Sequence, residues 1–133
     1  MKFLRAVFVC LSFLFILSSV QPVSVKANPI CTTETWTNTD PNTNSVPYVY
    51  WRKCLNNGLE QFYIQVFGKC HPQNCDWGSR RAHQDPAGYR AFYVQGVARR
   101  HLTFGIFGSR MTMNIKSTYT DGRVVNWELA FQK

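Results

Sequence analysis

The C-terminal part of the chain reads Met111-Thr-Met-Asn-Ile-Lys-Ser-Thr-Tyr119, then Thr120-Asp-Gly-Arg123, then Val124-Val-Asn-Trp-Glu-Leu-Ala-Phe-Gln132. In both outer runs, successive residues alternate between two faces, and one face of each run is mostly apolar. This period of two is typical of half-buried β-strands. Asp121-Gly122 can supply the positive φ angles of a type I′ turn. The segment therefore predicts a β-hairpin.

Similar runs continue toward the N-terminus and are separated by turn residues. Gly108-Ser109 precedes the hairpin, and Asn56-Asn57-Gly58 joins residues 48–54 to residues 60–67. Residues 33–38 and 90–98 give weaker strand signals, and residues 80–84 predict a short edge strand or a loop. We expect an all-β fold, namely a small antiparallel meander that closes into a barrel of seven or eight strands. A β-sandwich is the alternative.

The first 27 residues have the features of a signal peptide. Lys2 and Arg5 precede an apolar run at 6–17, and Val25-Lys26-Ala27 is a suitable cleavage site. We expect a single secreted domain at 28–133 with no membrane-spanning segment; the alternative is an uncleaved N-terminal anchor. Removing three of the 15 Lys and Arg residues leaves 12 against seven Asp and Glu, so the net charge falls from +8 to +5. A positive charge favours anionic partners.

Four cysteines remain after the leader, and an even number in a small secreted chain indicates disulfides. Of the three pairings, we favour Cys70–Cys75, which closes a short loop, and Cys31–Cys54, which a hairpin would bring together. The alternative is a zinc site that combines these thiols with His71, but an oxidising compartment favours disulfides. We expect no metal and no cofactor.

Two basic clusters and one tryptophan are the candidate binding residues. Arg80-Arg81 and Arg99-Arg100 could recognise sulfate, phosphate or an acidic glycan, or they could be solvated charges at turns. Arg99 and Arg100 are expected at a turn between two strands. Tyr48, Tyr50 and Trp51 are the best candidates for exposed stacking residues, with the two tyrosines on one face of their strand and Trp51 on the other. The alternative is that a small barrel fills its core with large side chains.

Three residues are expected to hold loops in place. Asp40 precedes Pro41 and can accept hydrogen bonds from the backbone amides of the next turn. Asp76 follows Cys75 and can fix the disulfide loop in the same way. Trp77 is expected to pack over that loop.

Three motifs together point to a family. Trp36-Thr-Asn-Thr-Asp40-Pro-Asn-Thr43, Cys70-His-Pro-Gln-Asn-Cys75-Asp-Trp-Gly78 and Thr118-Tyr-Thr-Asp121-Gly-Arg123 occur in this order. In this arrangement the chain resembles a family of small secreted domains, mainly bacterial, whose members are compact and all-β. The resemblance implies an all-β fold and supplies no activity. Members of that family usually lack the partners Cys31 and Cys54.

The chemistry-bearing residues form no recognisable catalytic motif. His71, His83 and His101 lack the spacing of metal ligands, and no Gly-x-Ser-x-Gly sequence occurs. We therefore expect a secreted, non-enzymatic binding or structural module. Its expected partner is an anionic polysaccharide or a cell surface rather than a specific nucleic acid. The alternative is a small secreted hydrolase, such as a ribonuclease, which would use a His–carboxylate pair and an arginine.

Overall fold

The computed structural model describes residues 27–133, so Cys10 and nearly all of the predicted signal peptide lie outside the described residues. Eight antiparallel strands follow one another around a closed barrel, which confirms the predicted fold. Within residues 27–133, no helix is long and apolar enough to cross a membrane. The strands are β1 (Ile30–Asn38), β2 (Tyr48–Asn56), β3 (Leu59–Lys69), β4 (Asn74–Asp85), β5 (Gly88–Gln95), β6 (Ala98–Phe107), β7 (Arg110–Tyr119) and β8 (Val124–Gln132).

The barrel interior is filled by the inward-facing residues of every strand. Strand β7 shows the pattern most clearly, since its buried and exposed residues alternate along almost its whole length. Large side chains dominate the core, as a small barrel requires. The largest fully buried ones are Trp36, Tyr93, Phe131, Ile64, Leu102, Met111, Met113 and Ile115.

The β7–β8 hairpin forms as predicted, but its turn is not type I′. Gly122 has a φ of 84°, whereas Asp121 has no positive φ. The Gly122 N–H donates to the Tyr119 carbonyl at 3.0 Å, and the Tyr119 N–H donates to the Arg123 carbonyl at 2.9 Å. These bonds define a three-residue loop in which a left-handed glycine follows an ordinary turn. The β2–β3 turn has positive φ at both Asn57 and Gly58, as type I′ requires.

Strand β4 is the longest strand in the described chain, whereas the sequence predicted a short edge strand or a loop there. Two features explain the difference: residues 80–84 are polar and exposed apart from the buried Ala82, and a β-bulge interrupts the strand just before them. Gln65 pairs with Ser79 and Phe67 pairs with Asp76, so β4 holds one extra residue at Trp77-Gly78. The Gly78 N–H donates to Asp76 Oδ1 at 2.7 Å. The extra residue breaks the alternation of faces on which the prediction depended. Asp76 therefore holds this bulge.

Two disulfides staple the barrel. Cys31 and Cys54 are directly paired residues of β1 and β2, and Cys70–Cys75 closes the connection between β3 and β4. Disulfides indicate an oxidising or extracellular environment. In the long β1–β2 loop, Asp40 Oδ1 accepts the Asn42 N–H at 2.9 Å, which is the role predicted for Asp40.

Candidate functional site

The two arginine pairs do not form clusters, because adjacent residues of a strand point to opposite faces. Arg99 and Arg100 lie within β6 and not at a turn, which corrects the sequence expectation. Arg99 is exposed, whereas Arg100 is half-buried and shares the inward face with Leu102. In β4, Arg81 pairs with the outward Tyr63 and Arg80 pairs with the buried Ile64. In register, each pair therefore places one arginine on each face of the wall, although Arg80 is itself exposed to solvent.

Arg100 packs against other side chains at one end of the barrel. Its guanidinium carbon lies 4.5 Å from the centroid of the Trp77 ring, and its Nη1 donates to Gln95 Oε1 at 2.8 Å. Trp77 is a core residue, only 9% exposed, and its ring lies against Gly68 rather than on the outside of the disulfide loop. Arg100 is thus part of the barrel interior and has a structural role.

Tyr93 is a buried residue of β5 that pairs with Arg100 of β6. Its hydroxyl donates to the Ile64 carbonyl at 2.7 Å and also lies 3.2 Å from the Gly78 carbonyl. Burial of the phenol raises the pKa of Tyr93 above its ordinary value of 10.0, while the charge of Arg80 opposes this shift. The hydroxyl therefore keeps its proton and its role as a donor. The guanidinium carbon of Arg80 lies 5.8 Å from the Tyr93 ring centroid.

Trp51 is not an exposed binding residue, which corrects the expectation that its ring could stack on a ligand. It is 6% exposed, and its ring stacks on Phe62 with a centroid distance of 5.5 Å. Alternation along β2 places Trp51 inside and its neighbours Tyr50 and Arg52 outside.

Those outward neighbours belong to a set of rows that run across the outer wall of β1–β4. The register aligns one outward residue of each strand in each row. We call these twelve residues the aromatic face. Its rows are Thr37, Tyr48, Phe67 and Asp76; then Thr35, Tyr50, Gln65 and Ser79; then Thr33, Arg52, Tyr63 and Arg81.

Three rings of the aromatic face pack together on the outside of the barrel. Tyr48 stacks on Phe67 with a centroid distance of 4.5 Å, and Tyr50 meets the edge of Phe67 at 5.0 Å. All three side chains are half-buried, so part of each ring stays open to solvent. Since the core lies on the other side of the wall, these rings form a separate apolar surface.

Arg52 lies beside these rings and lines a small slot. Its guanidinium carbon is 5.2 Å from the Tyr63 ring centroid, and its Nη2 donates to Ser79 Oγ at 3.2 Å. The Nε atom is buried and has no hydrogen-bond partner within residues 27–133. The slot has a volume of about 30 Å³ and is lined by Thr33, Tyr50, Arg52, Tyr63, Gln65 and Ser79. Such a volume holds one or two water-sized groups.

The charge of the aromatic face is positive on balance. Asp76 is the one carboxylate in its rows, and it already accepts hydrogen bonds from Gln65 Nε2 and from the Gly78 N–H, both at 2.7 Å. Arg52 and Arg81 make no salt bridge among the described residues. Two arginines on either side of Tyr63 are thus available to an external anion.

The histidines show no catalytic arrangement within the described chain. His71 and His83 are exposed, and His101 stacks on Phe92 at a centroid distance of 4.4 Å. None of them bonds to a carboxylate in residues 27–133, and no group of three His, Cys, Asp or Glu side chains there is placed to hold a metal ion.

Comparison of the chain with protein-family models, with curated proteins and with solved structures gives no match. The resemblance to small secreted domains stays a prediction. Of the predicted binding residues, Arg81 lies on the aromatic face, and Arg99 lies on the opposite wall. Sequence reasoning missed Arg52, Tyr63 and Phe67, since the register that joins them is not visible in any local motif.

Proposed function

We propose that this chain is a secreted, non-enzymatic binding module whose aromatic face holds an anionic polysaccharide. The observation that carries the proposal is the row in which Tyr63 stands between Arg52 and Arg81, directly beside the packed rings of Tyr48, Tyr50 and Phe67. Aromatic rings and guanidinium groups that make no salt bridge among the described residues together match a ligand that has both apolar ring faces and negative charges.

The two kinds of group would act on different parts of the sugar. The open ring surfaces of Tyr48 and Tyr50 offer apolar area to the flat face of a pyranose, with hydroxyls free to bond nearby polar groups. The guanidinium groups present paired N–H donors, which match the oxygens of a sulfate or carboxylate. Arg52 and Arg81 are two strands apart, about 10 Å at ordinary strand spacing, so they would contact different charged groups along one polymer.

The slot favours Arg52 as the first anchor. Its contacts with Ser79 and Tyr63 already hold the guanidinium in place, so less side-chain entropy is lost when a ligand binds. An oxygen of the ligand that reaches into the slot would also supply the acceptor that Arg52 Nε lacks.

The experiment measures retention on immobilised heparin, used as a sulfated probe, for the mature chain carrying Arg52→Gln with Arg81→Gln. A matched control carries Arg110→Gln with Lys116→Gln, two exposed cations of the opposite wall. Both variants lose two charges. The first should elute at clearly lower salt than the control, because the local site rather than the net charge holds the polymer.

A further variant, Tyr50→Leu, keeps the charge and removes an aromatic ring. It should lower the affinity for a heparin oligosaccharide by about tenfold, as loss of a stacking contact does. Equal elution of the two double variants would refute the proposed site. Cleavage of heparin or RNA during incubation with the pure chain would refute the non-enzymatic function.

A further inference from the structure

A second exposed surface lies at the barrel end where β5 turns into β6 and β7 turns into β8. Exposed apolar side chains flank both turns: Val94 is 67% exposed and Val97 63% at the β5–β6 turn, and Val124 is 47% exposed beside the β7–β8 loop. Val94 and Val97 line a groove of about 400 Å³ together with Arg99, Thr118 and Tyr119. We call this surface the apolar rim. Contiguous exposed apolar side chains of this kind mark interaction surfaces.

The apolar rim also contains two arginines, Arg99 and Arg123. Register places Arg99 between Val94 and Thr118, and Thr118 next to Val124, so Arg99 and Thr118 lie between the two valines. Arg123 lies over the Tyr119 ring, with its guanidinium carbon 4.4 Å from the centroid. The acidic residue of this region is Asp121, whose Oδ2 atom lies 3.8 Å from Arg123 Nε. The rim therefore combines apolar side chains with a net positive charge.

The two turns of the rim are tied to each other. The Thr120 N–H donates to the Val97 carbonyl at 2.9 Å, which links the tip of the β5–β6 hairpin to the β7–β8 loop. The apolar side chains thus stand on a fixed framework, and docking would not require the tips to become ordered first.

We propose that the apolar rim docks onto the surface of an anionic lipid bilayer. Val94 and Val97 would enter the boundary between headgroups and acyl chains, while Arg99 and Arg123 would contact lipid phosphates. Interfacial binding depends on this combination of apolar area and cationic charge. A polysaccharide would leave the valines in water. A second copy of this chain would bring cation against cation in a symmetric contact.

This surface is independent of the aromatic face, because β5–β8 form the opposite wall of the closed barrel. The chain offers a matched control at its other end, where Leu55 is 47% exposed and Leu59 is 69% exposed. Those side chains have similar exposure to the valines and stand beside the salt bridge between Lys53 and Glu60.

The experiment measures co-sedimentation of the mature chain with vesicles of phosphatidylcholine alone and of phosphatidylcholine with phosphatidylglycerol. The test variant is Val94→Thr with Val97→Thr, which keeps the charge and the β-branched shape. The control variant is Leu55→Thr with Leu59→Thr. Circular dichroism and the thermal midpoint establish that each variant folds.

The wild-type chain should sediment with the anionic vesicles and remain in solution with the neutral ones. The valine variant should bind the anionic vesicles about tenfold more weakly or worse, and the leucine variant should bind as the wild type does. A gain-of-function variant, Val97→Trp, should bind more tightly.

Three results would overturn the proposal: no sedimentation of the wild-type chain with anionic vesicles, equal losses in the two threonine variants, or a dimer in solution that the valine substitutions dissolve. The Arg52→Gln, Arg81→Gln variant should bind vesicles nearly as the wild type does, since it leaves the rim intact. The two proposals can therefore fail separately.

Discussion

Replacing Gly68 by alanine tests whether Trp77 is fixed in the barrel interior. A Cβ atom at Gly68 would lie 2.8 Å from Trp77 Cε2 and Cζ2, and closer still to Nε1. Carbon atoms in ordinary contact are about 3.5–4.0 Å apart, so the indole would have to retreat by about 1 Å. The ring has little room to do so, since it is 9% exposed, meets the Tyr93 ring and lies under Arg100.

Overpacking of this kind costs about 1–3 kcal/mol of unfolding free energy. Gly105 is the matched control, because a Cβ atom there would lie 2.8 Å from Phe107 Cε2. Phe107 is 74% exposed and can swing away. Gly105→Ala should therefore be neutral, or stabilising by up to about 1 kcal/mol through the lower entropy of the unfolded chain.

The assay is urea unfolding with the disulfides intact. At an m-value of about 2 kcal/mol/M, a loss of about 2 kcal/mol lowers the midpoint for Gly68→Ala by about 1 M relative to wild type. Adding Trp77→Phe, a smaller ring, should make the combined loss less than the sum of the single losses, since the two sites share one contact. Equal midpoints for Gly68→Ala and Gly105→Ala, or strict additivity with Trp77→Phe, would refute the reasoning.

Three further changes have expected outcomes. Burial raises the pKa of Tyr93, so above pH 10 the unfolded chain loses a proton that the folded chain keeps. Stability should then fall as pH rises, by up to about 1.4 kcal/mol per pH unit, and urea midpoints for Tyr93→Phe should fall less steeply. Replacing both cysteines by alanine should cost about 3.5 kcal/mol for the Cys31–Cys54 bond and about 2 kcal/mol for the Cys70–Cys75 bond, and calorimetry should rank them so. Gly122→Val should lower the thermal midpoint, because φ is 84° there; an unchanged midpoint would contradict the left-handed loop.

Local patterns predicted the hairpins well, because alternation and turn residues are short-range signals. The β7–β8 pair and the β2–β3 pair both form with the expected partners. The turn at Asp121 is a three-residue loop and not the predicted type I′ turn. The choice between the two depends on where strand pairing stops, which local residues do not determine. The long strand β4 gives a weak strand signal for two reasons: the bulge at Trp77-Gly78 shifts the alternation by one residue, and residues 80–84 are polar apart from Ala82.

Neighbouring charges in the sequence gave a misleading view of the binding residues. Arg99-Arg100 and Arg80-Arg81 are adjacent in the sequence and suggest clusters, yet strand geometry places the two members of each pair on opposite faces of the wall. Trp51 shows the same effect, since it faces the core while Arg52 faces solvent. The alternation that predicts the strands also places adjacent residues such as 80–81 and 99–100 on opposite faces.

In a meander barrel, neighbouring residues on the surface come from different strands and therefore form no local sequence motif. Arg52, Tyr63 and Arg81 form one row because three antiparallel strands align them, although 29 positions separate the first from the last. The row depends on the register of β2 with β3 and of β3 with β4, and the second of these is set by a bulge that the sequence alone did not reveal. The lack of a motif in this chain is therefore weak evidence against a site. For folds of this kind, the outward residues of paired strands are the proper unit in which to look for a binding surface.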